Sequence, residues 1–250
     1  MIMTIKTLFS RAPVTALLLI SFVGLFVIQV ASGVDINEPS LPSLLKWGAN
    51  ALPYTVGYEP WRLISSAFLH IGLMHLLFNC FAMYYFGQAA EVSFGSIKFL
   101  LLFLLSAVGG NLLNSYVTWW QIFYNNGAPG ISAGASGGIM GIGMALLMVE
   151  LLKKSLLKFP SHGKNPQLRS LALIMGINLM YGFAVPGIDN AGHIGGALTG
   201  AVLAVGIMVG YRYSILGDKP LFKALPWLIF AIITIIFYQL WLDLHLQIGL

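Results

Sequence analysis

Long apolar segments separated by short polar ones run through the whole chain. Seven of them are about as long as the roughly 20 apolar residues that a helix needs to cross a bilayer. We predict these spans at residues 13–31, 71–89, 97–117, 133–151, 169–186, 191–210 and 224–243. The pattern therefore predicts an all-α membrane protein, a polytopic bundle of seven transmembrane helices.

The segment between the first two spans is polar, contains prolines and ends in aromatic residues, at 32–66. That composition is typical of chain lying at a membrane interface. The first span, 13–31, follows two basic residues, as the apolar segment of a secretory signal would. In that alternative, Ala31-Ser32-Gly33 would be the cleavage site. We interpret it as a span, because it is longer than the roughly 7–15 residues of a signal h-region.

Composition strengthens the membrane prediction. The chain is 58% hydrophobic and 8% charged, whereas soluble proteins carry about 25% charged residues. A net charge of +5 in so apolar a chain is better explained by cytoplasmic loops than by nucleic acid, so we expect no nucleic-acid partner. The single cysteine, Cys80, excludes an internal disulfide.

The distribution of Lys and Arg predicts the orientation. With a cytoplasmic N-terminus, only Lys46 and Arg62 fall outside, which is a strong positive-inside bias. The inside segments hold the other eleven, Lys6, Arg11, Lys98, Lys153, Lys154, Lys158, Lys164, Arg169, Arg212, Lys219 and Lys223. We therefore predict a cytoplasmic N-terminus (1–12), a six-helix core (13–210) with an external loop at 32–70, a cytoplasmic linker (211–223), and a seventh helix with an external C-terminus (224–250).

Polar side chains within the apolar spans are costly in lipid and usually functional. They open the three even-numbered spans, with His70, His75 and Asn79 on the second, Ser136 on the fourth, and Asn190 and His193 on the sixth. These spans all run in the same direction, so their N-terminal turns lie at one depth near the outer face. His75 and Asn79 are four residues apart and share a helix face.

Glycines at four-residue spacing accompany two of these clusters. Gly192, Gly196 and Gly200 form a small-residue face on the sixth span, and Gly137 and Gly141 repeat the spacing on the fourth. Such faces let membrane helices approach to backbone contact. The spacing predicts that these two helices pack closely and bring His193 against Ser136.

Residue chemistry alone leaves several functions open. Ser136 with His193 as base and with His75 and Asn79 as oxyanion donors would make a serine hydrolase. The same residues could instead serve in helix packing and interhelical hydrogen bonds, or in a transporter or channel. We see neither the paired mid-membrane charges nor the inverted repeats that transporters show.

Other hydrolase types are disfavoured. The stretch Gly134–Gly138 matches G-x-S-x-G, but it precedes a membrane helix without the strand of a nucleophile elbow. No H-E-x-x-H zinc motif occurs. All eight acidic residues lie near span ends or in loops, unlike the paired carboxylates of an aspartyl protease. We therefore expect no metal and no cofactor.

Four stretches resemble the motifs of the rhomboid family of intramembrane serine proteases, in the family's order and on the matching spans. They are Trp61-Arg62, His70–Asn79 (HIGLMHLLFN), Gly134–Gly137 (GASG) and Ala191–Gly200 (AGHIGGALTG). The resemblance implies a rhomboid-like bundle of six helices plus one. It also implies that Ser136 is the nucleophile and His193 the general base of a dyad, without an acidic third member.

The resemblance extends to supporting residues. His75, Asn79 and the backbone N–H of Ser136 would form the oxyanion hole. The dyad leaves Asp189 without a role. Arg62 would anchor the external loop. Glu91 and Gly95 resemble a structural motif after the second helix, and Met140 stands where many members carry a Tyr that packs on the catalytic His.

The resemblance also implies partners and location. The substrates would be single-span membrane proteins, cleaved near the outer ends of their helices. Because hydrolysis needs water, we expect a wet cavity above Ser136, with loops 119–131 and 187–190 as its rim. The protein would be a multi-pass protein of the bilayer, in the bacterial inner membrane, with its active site open to the outer face. The alternative is a proteolytically inactive, client-binding relative, but such proteins typically lack the serine or the histidine, and this chain has Ser136 and His193.

Overall fold

A computed structural model describes residues 5–127, 130–157, 166–184, 189–216 and 220–249. The elements, in chain order, are α1 (Ile5–Arg11), α2 (Pro13–Ala31), α3 (Leu41–Trp47), β1 (Asn50–Ala51), α4 (Leu52–Gly57), α5 (Arg62–Ser65), α6 (Leu73–Ala82), α7 (Gln88–Phe94), α8 (Ser96–Asn125), β2 (Ile131–Ser132), α9 (Ser136–Leu157), α10 (Pro166–Ala184), α11 (Asn190–Leu216) and α12 (Pro220–Ile248). A 3₁₀ turn, Ser66–Phe68, follows α5, and a π turn, Met83–Gly87, joins α6 to α7.

The prediction of a helical, polytopic membrane protein is confirmed. Among the described residues, four helices are long and apolar enough to cross a bilayer, and the pair Arg62–Phe68 and Leu73–Phe94, bent by 95°, makes five if it is one span. The helices α9 and α10 contribute the shorter apolar stretches Ser136–Leu152 and Ser170–Met180. Within the described residues, each of the seven predicted stretches lies mainly on a helix, while the count of seven crossings and the orientation stay predictions.

Two details of the sequence prediction need comment. The predicted rim loop 119–131 is wrong at its start, because α8 continues as helix to Asn125 and ends there with Asn126 in the left-handed conformation. Three lysines used in the orientation argument, Lys158, Lys164 and Lys219, lie outside the described residues, as do residues 187 and 188 of the second rim loop.

The centre of the bundle is a three-helix unit of α8, α9 and α11. Its core holds Phe99, Phe103, Ile142 and Leu203, each no more than 1% exposed. The helix α2 adds Phe22 to the same cluster. In contrast, α12 leaves many large apolar side chains exposed along its length, as expected for a helix that faces lipid on most sides.

Arg62 anchors the loop between α2 and α6, as the family resemblance implied. Its buried guanidinium donates to the backbone carbonyls of Leu45 at 2.8 Å and Ala49 at 2.9 Å and pairs with Glu59. These carbonyls belong to irregular backbone that would otherwise lack partners. Directly after this point β1 pairs antiparallel with β2, with Asn50 opposite Ser132. The anchored loop is therefore attached to the strand that leads to Ser136.

Glu91, on α7, joins the start of α2 to the end of the second predicted span. Its buried carboxylate accepts the backbone N–H groups of Val14 at 3.0 Å and Thr15 at 2.7 Å, and the hydroxyls of Thr15 and Ser96. These N–H groups lie in the first turn of α2, where a helix has unpaired donors and favours negative charge. The side chain thus caps a helix 76 residues away in sequence.

We predict that Glu91→Gln lowers stability, because a neutral amide cannot accept all four bonds and loses the attraction to the helix N-terminus. Hydrogen bonds to charged groups contribute about 1.5–3 kcal/mol. The thermal midpoint of the purified protein in detergent should fall by several degrees, on the order of 5 °C. The matched control is Glu38→Gln, an exposed loop carboxylate. Equal midpoints for the two variants would contradict the capping role.

Candidate active site

Ser136 is the first residue of α9, and its side chain is half-buried. The preceding loop is held in place by a hydrogen bond from the N–H of Gly134 to the carbonyl of Ser66, 2.9 Å long. Gly134 has φ +139°, a conformation that side chains rarely adopt. The hydroxyl therefore sits at the N-terminus of a long helix, where unpaired N–H groups favour negative charge.

A buried amide secures Ser66 in turn. Asn111, on α8, donates to the carbonyl of Leu63 at 2.9 Å and the hydroxyl of Ser66 at 2.8 Å. The side-chain amide of Asn50 donates a hydrogen bond to the backbone carbonyl of Asn111. The loop before Ser136 is thus attached to α8 through side chains that the sequence analysis did not single out.

The helices α9 and α11 meet backbone to backbone through the predicted glycines. A Cβ on Gly196 would overlap the carbonyl of Gly137, and one on Gly200 would overlap that of Gly141. A Cβ on Gly137 would lie 3.3 Å from the carbonyl oxygen of Gly192. Since Ser136 precedes Gly137 and His193 follows Gly192, the two side chains start beside the same contact.

The close packing of the two helices that the sequence predicted is therefore present. His193 is buried, with 8% of its surface exposed. Among the described residues, no hydrogen bond joins Ser136 Oγ to His193. The Nδ1 atom of His193 and the Oδ1 atom of Asn190, one turn earlier on α11, are both buried without a hydrogen-bond partner.

Asp189 has a structural role that the sequence analysis missed. Its Oδ1 accepts the N–H of Gly192 at 2.7 Å, which caps α11 three residues into the helix, and its Oδ2 accepts the hydroxyl of Ser132 at 2.6 Å. One carboxylate therefore joins the helix of His193 to the strand before Ser136. An Asp placed directly before an apolar span is an N-cap signal that could have identified it.

His75 faces the serine loop from the second span. A Cβ on Gly134 would lie 2.9 Å from the Nε2 atom of His75, so the imidazole packs directly on that glycine. The Nδ1 atom is 3.2 Å from the N–H of Ile71 and accepts its hydrogen bond. A neutral imidazole that accepts at Nδ1 carries its proton on Nε2. The donor side of His75 is thus turned towards the loop that ends at Ser136.

Asn79 lies one turn below His75 and is 4% exposed. Its side-chain amide donates to the carbonyl of His75 at 3.0 Å. An amide NH₂ has two donors, so this bond leaves one for another partner. His70 completes the cluster: it is 1% exposed, and its ring lies 5.4 Å from those of both Phe22 and His75. It supports His75 by packing, because neither His70 nitrogen has a hydrogen-bond partner.

Met140 is buried below the site. It forms an apolar cluster with Met175 of α10 and Ala197 of α11. Ala197 is one turn after His193, so this cluster packs against the histidine helix one turn beyond the imidazole. Within the described residues, no group of three or more His, Cys, Asp or Glu side chains is arranged to hold a metal ion.

Comparison with known proteins places this arrangement in context. A family model of the Rhomboid domain matches residues 57–212. The chain is 36% identical over 184 residues to Rhomboid protease GluP of Bacillus subtilis. It is 31% identical over 212 residues to Rhomboid protease AarA of Providencia stuartii, and 38% identical over 166 residues to RHOMBOID-like protein 6, mitochondrial, of Arabidopsis thaliana.

The coverage of these relatives differs. The aligned regions include 73%, 80% and 66% of this chain, in the same order, but 32%, 74% and 50% of the three relatives. The chain therefore spans most of AarA, half of the Arabidopsis protein and about a third of GluP.

We predict that Gly196→Ala destabilises the protein, because the added methyl group would overlap the Gly137 backbone and force the two helices apart. Overpacking of this kind costs about 1–3 kcal/mol. Gly176→Ala is the matched control, since a Cβ there meets nothing within 4 Å and alanine favours a helix. Thermal unfolding in detergent measures both. A midpoint for Gly196→Ala equal to that of the control would contradict the backbone contact.

Proposed function

The chain belongs to the rhomboid family, and we propose on this basis that it is an intramembrane serine endopeptidase. Its substrates are single-span membrane proteins, cut near the outer ends of their transmembrane helices. The observation that carries the proposal is the glycine contact of α9 with α11, which starts Ser136 and His193 from adjoining points of two helices.

The reaction uses the two side chains as a dyad. His193 takes the proton of Ser136 Oγ as the oxygen attacks the scissile carbonyl, and a tetrahedral intermediate forms. Its collapse breaks the C–N bond, and the leaving amine receives the proton from His193, which leaves an acyl-enzyme on Ser136. Water, deprotonated by the same imidazole, then releases the acid product. The chemistry needs no metal or cofactor.

Three donors stabilise the oxyanion of the intermediate. They are the Nε2–H of His75, the second amide N–H of Asn79 and the backbone N–H of Ser136. The tautomer of His75 supports this role, because the backbone N–H of Ile71 occupies Nδ1 and leaves the proton on the nitrogen that faces the serine loop. The first turn of α9 adds its own field, since a helix N-terminus favours negative charge.

The orientation of His193 requires an acceptor for its Nδ1–H. Asp189 does not serve in this structure, because its carboxylate bonds to Gly192 and Ser132 while Nδ1 of His193 has no hydrogen-bond partner. The unpartnered Oδ1 of Asn190 lies one helical turn away and takes this role, directly or through a water molecule. This role of Asn190 would be excluded by the structure of a covalent inhibitor complex in which the Nδ1–H of His193 donates its hydrogen bond to another group.

Access for water and substrate follows from the position of the site. Ser136, His75 and His193 lie on the first turns of their helices, at the end of the bundle that carries the external loop. Ser136 is half-buried, so part of it remains accessible. Non-helical backbone is tolerated at this depth where it lines a water-filled cavity. Small or helix-breaking residues near the scissile bond would lower the cost of unwinding a substrate helix.

We predict that a fluorophosphonate probe labels the wild-type protein and that Ser136→Ala abolishes this labelling. His193→Ala should reduce it by about 10³-fold or more, because the hydroxyl is a weak nucleophile without its base. Ser93→Ala, a serine at the opposite end of the bundle, is the control and should be labelled like the wild type. In-gel fluorescence against protein content measures all four.

Equal labelling of Ser136→Ala and the wild type would contradict the proposal that the protein is a serine hydrolase. Absence of labelling from a folded wild-type protein that still binds single-span membrane proteins would favour the inactive, client-binding alternative. No observation on the described residues favours a transporter over these two.

We predict that Asn79→Ala lowers kcat for a single-span substrate by about 10²–10³-fold, the cost of one oxyanion donor. Asn178→Ala is the matched control. The Asn178 amide also donates to the carbonyl four residues earlier, Ile174, at 2.9 Å, but on the exposed face of α10. Unchanged turnover in Asn79→Ala, or an equal loss in both variants, would contradict the oxyanion role of Asn79.

A further inference from the structure

A cavity lies at the end of the bundle opposite Ser136. Its volume is about 450 Å³, and it is formed by the ends of α7, α8, α9, α11 and α12. Glu150 lines it from α9, 14 residues after Ser136, and Tyr211 from α11, 18 residues after His193. At 1.5 Å per residue these separations are roughly 20–27 Å. The cavity is therefore separate from the candidate active site and near the other membrane surface.

The walls of this cavity change character with depth. The deeper positions on α9 and α11 are apolar, Leu146 and Ile207 among them. The positions nearest the helix ends carry charge: Lys98 comes in the first turn of α8, and Lys223 in the first turn of α12. A site with an apolar floor and a cationic mouth at the end of membrane helices matches the two parts of a phospholipid.

Aromatic side chains mark the same level. The ammonium group of Lys98 lies 5.9 Å from the ring centroid of Trp227, and Tyr211 is exposed beside the cavity. Trp and Tyr are enriched where membrane helices pass the headgroups. The mouth of the cavity is thus at headgroup depth, which disfavours a ligand that enters from the middle of the bilayer.

We propose that this cavity binds the headgroup of an acidic phospholipid. The phosphate lies between the ammonium groups of Lys98 and Lys223, and the first part of the acyl chains covers the apolar floor. Among the described residues that line the cavity, two are lysines and one, Glu150, is a carboxylate, so this part of the lining favours a headgroup of net negative charge. Glu150 accepts hydrogen bonds from headgroup hydroxyls. The volume is within the roughly 300–1,000 Å³ of small-molecule sites.

A lipid bound here joins α12 to the rest of the bundle. The cavity lies between Lys98 of α8 and Lys223 of α12, and α12 begins beyond the residues 57–212 that match the Rhomboid domain. Next to the cavity, α11 and α12 already approach closely, since a Cβ on Gly210 would lie 2.8 Å from Pro226 Cδ. A lipid that binds only when these helices are packed together stabilises the packed state by mass action.

The test uses the full-length protein, stripped of lipid in a neutral detergent. Phosphatidylglycerol should raise the thermal midpoint by about 5 °C at saturation and stay bound in native mass spectrometry. Phosphatidylcholine and inorganic phosphate should do neither. The double variant Lys98→Gln/Lys223→Gln should lose the shift and the bound lipid. Lys46→Gln, an exposed lysine of the external loop, is the control and should keep both.

Glu150→Gln separates the headgroup classes. It should keep phosphatidylglycerol binding, because a neutral amide removes repulsion from the phosphate and still offers hydrogen bonds. Loss of binding in this variant would indicate a headgroup ammonium on Glu150 and overturn the acidic-lipid assignment. Equal effects of all lipids, an equal effect of inorganic phosphate, or unchanged lipid retention in the double lysine variant would each overturn the proposal.

Discussion

The contact between the α9 and α11 backbones is the constraint on which the site depends. The glycines at 137, 141, 196 and 200 leave no room for a side chain where the helices touch. In lipid, helices gain little from apolar burial against each other, so close packing of small residues supplies much of the association. The same contact that holds the bundle together sets the spacing between Ser136 and His193. Stability and the proposed chemistry therefore share one interface.

Buried polar groups fix the irregular parts of the chain around that interface. Glu91 caps α2, Arg62 holds the carbonyls of the external loop, and Asp189 caps α11 while accepting the Ser132 hydroxyl. Each satisfies backbone groups that lipid cannot. Among the described residues at the site, they leave His70, Asn190 and His193 as buried polar side chains with unpartnered atoms. Those atoms are free to change partners during a reaction, whereas the anchors are not.

The two ends of the bundle are built differently. At the Ser136 end, polar side chains from α6, α9 and α11 converge beneath an anchored loop. At the other end, five helix termini leave a cavity with lysines at its mouth, and α12 closes one side of it. Met140 lies between the two ends, where it packs with Met175 and Ala197 and supplies no aromatic ring. The proposed mechanism therefore assigns the orientation of His193 to Asn190 and the cap of α11 rather than to a neighbour from α9.

The sequence by itself determined the helical membrane class, the residues 137, 141, 196 and 200 of the helix contact, and the placement of His75, Ser136 and His193 on the first turns of three helices, because apolar length and glycine spacing act within single helices. Only the tertiary structure decided the role of Asp189, the anchoring of Ser66 by Asn111, the tautomer of His75 and the end of α8 at Asn125. These depend on partners between 4 and 57 residues away or on loop geometry, and no local pattern specifies which partner a polar side chain will find.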